Sequence, residues 1–223
     1  MNYYPISIID NFYENPYQVR EFALTQEFKF LHELKNSEHV FPGSRTKDLS
    51  IIDPAFFNKT CEKLTSVFHN YEHDKMRWSI STCFQSVTKD YDLGVIHQDS
   101  DTVFAGVLFL SPNPEIDSGT SLFQENELFD QKKYQKALEE NDLRFKANKK
   151  ILFDYHDMFD EILRVRNVFN TLVIYEGNHY HAANKFFGNS LEQSRLTQVF
   201  FVKKVDATKE SNFPLMRTKN IAI

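Results

Sequence analysis

Cysteine is nearly missing from this 223-residue chain: Cys61 and Cys83 are the only two, and neither falls in a Cys-x-x-Cys pair or a His-rich zinc spacing. A disulfide framework is thereby excluded, and both residues read as reduced core thiols. No apolar run approaches the ~18 residues of a membrane helix. The opening stretch "MNYYPISIIDNFYENPYQV" has no charged segment followed by an apolar one, so the expectation is a cytoplasmic protein with no membrane partner. Basic residues are scattered singly or in pairs such as Lys149-Lys150, on a chain of formal charge −5 and pI about 5.9. Without a basic stripe, duplex nucleic acid is not expected as a partner. Repeats and low-complexity tracts are also lacking.

What is abundant is aromatic mass. With 22 Phe, 10 Tyr and a hydrophobic fraction of 41%, the chain can fill a sizeable core, and its length fits one domain over residues 1–223. Residues 3–10, "YYPISIID", read as an opening strand. "NPYQVREFALTQEF" follows as a helix with Asn15 at the N-cap and Pro16 in the first turn. The Pro-Gly pair in "FPGSRTKDLS" marks a turn and puts Arg45 and Thr46 on a loop. Residues 54–70 carry Phe57, Cys61, Leu64 and Phe68 at helical spacing.

From Trp78 the period changes to two. "RWSISTCFQSVT", "GVIHQD", "TVFAGVLFLS" and "GTSLFQ" are short strand-like runs, and "NTLVIYEG" and "SRLTQVFFVKKV" resume the pattern after a loop "NHYHAANKFFGNS". Residues 125–165 interrupt it with a charged stretch lacking Gly and Pro, read as a helical insertion between strands. The class is α+β, mainly β.

Two polar residues break the apolar run "LGVIHQDSDTVFAGVLFLS". On a strand, Val95, His97 and Asp99 share one face, so an imidazole and a carboxylate converge. Such a pair fits a metal site, an acid/base couple or a hydrogen-bonded structural histidine, and among eight histidines one His-x-Asp carries little weight alone. More weight comes downstream, where His179 and His181 follow a strand-like run and Arg195 and Thr197 share a strand face. Two histidines and a carboxylate leave open positions on a metal, as non-haem Fe(II) oxygenases require. An arginine fork with a neighbouring hydroxyl suits a carboxylate ligand.

The order His-x-Asp, distal His, Arg-x-Thr resembles the 2-oxoglutarate/Fe(II)-dependent dioxygenase superfamily in its prolyl-hydroxylase-like branch. It is most similar to small members from phages and bacteria carrying a "PG-x-R-[ST]" loop, a "G-T-S" strand and a "G-x-x-x-H" turn, here "PGSRT" 42–46, "GTS" 119–121 and "GNHYH" 177–181. The resemblance covers most of residues 40–203. It implies a double-stranded β-helix, a cupin-like jelly-roll barrel, with N-terminal helices packed on it. The implied iron ligands are His97, Asp99 and His181, with His179 the alternative for the third. Arg195 and Thr197 are implied to hold the distal carboxylate of 2-oxoglutarate, while Gln85 and Tyr91 are candidates for cosubstrate oxygens and Arg45 for the primary substrate. The implied reaction hydroxylates an unidentified substrate as 2-oxoglutarate and O2 become succinate and CO2. A non-catalytic jelly-roll module binding metal or ligand is the alternative.

Overall fold

The computed structural model describes residues 6–34, 40–70, 75–99, 101–147 and 149–207. Among them ten strands form two antiparallel sheets. The larger runs β1 (Ser7–Ile9), β8 (Leu172–Glu176), β5 (Phe104–Phe109), β10 (Arg195–Ala207), β4 (Met76–Val87), β3 (Ser44–Arg45), β2 (Lys29–Phe30); the smaller runs β7 (Phe159–Val165), β6 (Thr120–Glu125), β9 (Tyr180–Ala183). His181 on β9 pairs with Leu122 on one side and bridges His97 on the other. The His-x-Asp segment is thus an outer rung of the smaller sheet.

Strand alternation sorts the side chains. On β5 and β8, Ala105, Val107, Phe109, Val173 and Tyr175 face inward and join Leu122 and Val165 of the smaller sheet in one buried cluster. Their neighbours Leu108, Leu172 and Ile174 face outward, with Leu196, Phe200 and Val202 of β10. They meet Ala23 of α1 (Pro16–Leu24), Leu49 of α2 (Leu49–Ile52), and Cys61 and Leu64 of α3 (Pro54–Ser66). The period of two in the strands and the helical stripe in α3 therefore bury the same core from opposite sides.

The helix starts are chemically explicit. Pro54 opens α3 and the Asp53 carboxylate accepts from the Ala55 and Phe56 amides, satisfying donors that the first turn leaves free. Asn15 stands at the N-cap of α1 as expected but makes no side-chain cap bond. The opening strand spans Ser7–Ile9, and residues 3–5 of the expected run lie outside the described residues.

Three expectations are corrected. The insertion is α-helical only in α4 (Gln131–Lys146), capped by Asp130, with a short 3-10 turn at His156–Met158. "FDEILRV" is strand β7, because its residues pair with β6. Arg45 sits not on a free loop but on β3, opposite Gln85, and His181 lies on a strand, β9, rather than in a loop.

Candidate metal and anion site

The strands bring His97, Asp99 and His181 together, with one ligand atom from each lying within 4.8 Å of the others. Backbone bonds fix the two histidines across the rung: His97 N donates to His181 O at 3.1 Å and His181 N to His97 O at 2.9 Å. The Asp99 amide donates to Gly177 O at 2.8 Å. A Cβ on Gly177 would lie 2.6 Å from Asp99 O and 2.1 Å from Thr102 O; only glycine permits this approach.

Both imidazoles are oriented alike. His97 Nδ1 lies 2.9 Å from Val95 O, and His181 Nδ1 lies 2.9 Å from His179 O. A carbonyl only accepts, so each Nδ1 carries the proton and each Nε2 presents a lone pair. The Nε2 atoms lie 3.7 and 3.5 Å from the Asp99 oxygens. Burial and the neighbouring His97 hold the His181 pKa down to about 4 against the opposing pull of Asp99, so its imidazole is neutral at pH 7. Two imidazole Nε2 atoms and a carboxylate grouped this closely form a donor set for a divalent ion.

The insertion braces this rung from behind. Ile96, between the two faces, is buried with Tyr134, Tyr155, Phe159 and Tyr180. The Ile96 amide donates to Tyr155 Oη at 3.0 Å, and Tyr134 Oη donates to Ile96 O at 3.3 Å.

The triad opens on a cavity of about 820 Å³ lined by β4, β5 and β10 on one wall and by Gln135, Leu138, Glu139, Asp142 and Phe145 of α4 on another. Arg195 lies in its wall, 4% exposed. Its Nε donates to Ser118 O at 2.7 Å, and one Nη to Gly119 O and Thr120 Oγ1, both at 3.2 Å. Phe109 and Phe186 flank the guanidinium at 5.5 and 5.9 Å. No described carboxylate lies within ion-pair distance. Burial lowers its pKa to about 10, which leaves it charged.

The other candidates divide. Gln85 lines the cavity, but its amide donates to Pro42 O at 2.9 Å and its carbonyl accepts from Arg45 at 3.3 Å, so it braces the Pro-Gly turn. Thr197 is fully buried and its hydroxyl reaches Gln85 O only at 3.5 Å, away from the lining. Tyr91 does not line the cavity itself; its ring packs 6.3 Å from each of the lining residues Phe145 and Phe186. His179 is outside the triad. Cys61 is a core thiol, whereas Cys83 lines the cavity with its pKa raised by burial.

Two lining residues went unread in the sequence. Thr120, within the "GTS" strand, receives an Arg195 hydrogen bond. Tyr175, within "NTLVIYEG", faces the cavity with its ring 4.7 Å from that of His181. Inward parity on a β-prone run was the available signal for both.

A family model described as "Family of unknown function (DUF6445)" matches residues 2–202. A comparison with curated protein sequences finds no match. Solved structures do match. HygX from Streptomyces hygroscopicus, with nickel and 2-oxoglutarate bound, has a TM-score of 0.50 at 10% identity, over 88% of this chain and 82% of that one. Its iron-bound form gives 0.50 at 12% identity, over 88% and 81%. A prolyl hydroxylase from Trichoplax adhaerens, in complex with a hypoxia inducible factor oxygen degradation domain peptide fragment, gives 0.51 at 8% identity, over 89% and 83%. The chain shares the fold of 2-oxoglutarate/Fe(II) oxygenases.

Proposed function

The chain belongs to the DUF6445 family, and within it we propose a non-haem Fe(II)- and 2-oxoglutarate-dependent dioxygenase that hydroxylates an organic substrate. The observation that carries this reading is the shared cavity: His97, Asp99 and His181 converge in it, and Arg195 stands in its wall as a buried cation without a carboxylate partner among the described residues. The barrel is read as one double-stranded β-helix domain. Support comes from the chain order, in which β4, the His97 rung, β5, β6 with β7, β8, β9 and β10 alternate between the two sheets.

The donor chemistry suits Fe(II): two imidazoles and one carboxylate on one side leave the opposite positions open. Bound there with 2-oxoglutarate, the iron would supply the oxidative chemistry that turns 2-oxoglutarate and O2 into succinate and CO2. The protein's own residues do the rest. His97 and His181 present fixed Nε2 atoms because their Nδ1 protons are held by carbonyls. Arg195 offers Nη1, which has no protein partner, to the distal carboxylate, a charge-assisted bond in a dry site. Thr120 steers the guanidinium and Tyr175 stands beside it; in this scheme they take the part that spacing assigned to Thr197. Along the open side α4 screens the cavity from water, its ends pinned by Tyr134 and Phe145.

The test is chemical. Protein loaded with Fe(II) and given O2 is expected to convert 2-oxoglutarate slowly to succinate even without its primary substrate, and Asp99→Ala is expected to form none. No succinate from the unmodified protein, or equal amounts from both, rejects an oxygenase in favour of a binding module.

A further inference from the structure

A second guanidinium faces the same cavity, and the fold does not satisfy it. Gly43, at φ +68 with a Cβ position only 2.1 Å from Ser86 O, turns the chain tightly onto β4 and delivers Arg45 to the wall beside Gln85. There Arg45 stacks on Phe41 at 4.4 Å and Phe201 at 5.5 Å. Its one hydrogen bond is long, 3.3 Å to the neutral Gln85 carbonyl. Its Nε is buried without a partner, and no described carboxylate lies within ion-pair distance.

The same protein satisfies a buried arginine where the role is structural. Arg20, on α1, places its two Nη groups on the Leu110 and Glu192 carbonyls. For Arg45 a stack between two phenyl rings could be kept by an uncharged side chain at far lower desolvation cost. A charge held in a dry wall with donors unspent is the half of an ion pair whose other half is a ligand.

We propose that Arg45 is the specificity-determining residue for the primary substrate and that this substrate carries an anionic oxygen group, a carboxylate or phosphate, received edge-on by the Arg45 fork. The inference rests on the dioxygenase reading, in which Arg195 is already engaged by the cosubstrate. Phe41 and Phe201 cover the flat sides of the guanidinium, so only its edge is offered, the geometry that pairs with a planar carboxylate or two phosphate oxygens. Arg45 lines the same cavity as His97, Asp99 and His181, so a ligand held by its fork shares that cavity with the metal ligands.

Calorimetry on the full chain, loaded with Fe(II) and 2-oxoglutarate without O2, tests this with phenylacetate, phenyl phosphate and neutral phenylacetamide. The expected result is at least about tenfold tighter binding of one anion than of the amide, a preference lost in Arg45→Met and partly kept in Arg45→Lys. The stronger anion identifies the group. Affinity for 2-oxoglutarate should change less than about threefold, and the melting temperature of Arg45→Met should not fall, since no protein ion pair is broken. Equal binding of amide and anions, or an anion preference surviving in Arg45→Met, overturns the proposal. So does a loss of 2-oxoglutarate in Arg45→Met matching that in Arg195→Met, which would make Arg45 a cosubstrate anchor. If the unmodified protein binds no 2-oxoglutarate yet its anion preference disappears in Arg45→Met, the Arg45 site stands and the oxygenase reading falls.

Discussion

On one face of β10, Leu196, Phe200 and Val202 enter the apolar cluster shared with α1, α2 and α3; on the other, one residue out of step, Arg195, Val199 and Phe201 look into the cavity. The helix-covered face does admit polar groups, but it finishes them internally. Gln198 accepts from Tyr13 Oη at 2.8 Å and donates to Thr82 Oγ1 at 3.1 Å. Among the described residues, the cavity face leaves two guanidinia without a carboxylate within ion-pair distance, and it groups three potential ligand atoms within 4.8 Å of one another. Unfinished polar chemistry therefore separates a functional face from a structural one more sharply than burial does, since Gln198 and Arg195 are both buried.

That contrast predicts separable defects. Phe200→Ala, on the helix side, should cost about 3–5 kcal/mol of stability, the range for emptying a phenyl ring from a packed core, measured by urea unfolding. Metal affinity of the protein that remains folded should be unchanged. A comparable loss of metal affinity would mean that the two faces are not independent.

On the cavity face the next effect in size is metal loss. His181→Ala removes one of three ligands and should weaken Fe(II) by about a hundredfold or more, around 3 kcal/mol, with little loss of fold. His179→Ala should change affinity less than about threefold, because only its backbone carbonyl serves the site. Competitive titration against a chelator measures both. The reverse ranking would move the ligand two residues upstream.

Which features were legible in the sequence follows from how local they are. His97 and Asp99, and Arg195 with Thr197, are marked by alternation within single strands, while His181 rests on order along the chain and on the resemblance; the structure brings His97, Asp99, His181 and Arg195 to one cavity. The strand of His181 was missed because β9 has only four residues beside a Gly-Asn pair, too short for a period to register. Thr120 and Tyr175 show inward parity on their strands, but that they meet Arg195 depends on how the two sheets face each other, which no local pattern carries. Tyr91 stands one layer behind the cavity wall, its ring against the lining residues Phe145 and Phe186. The insertion misled because the charged helix α4 is followed directly by a strand whose partner, β6, lies on the far side of that helix in sequence.

The most direct measurement is the affinity of the metal-loaded protein for 2-oxoglutarate, by calorimetry with Fe(II) and no O2, compared with Arg195→Met. The cavity-face account predicts binding in the unmodified protein and a loss of roughly 2–5 kcal/mol, about 30-fold to several thousandfold, in the variant, with Fe(II) binding preserved. No binding by the unmodified protein, or equal affinity in both, would contradict it.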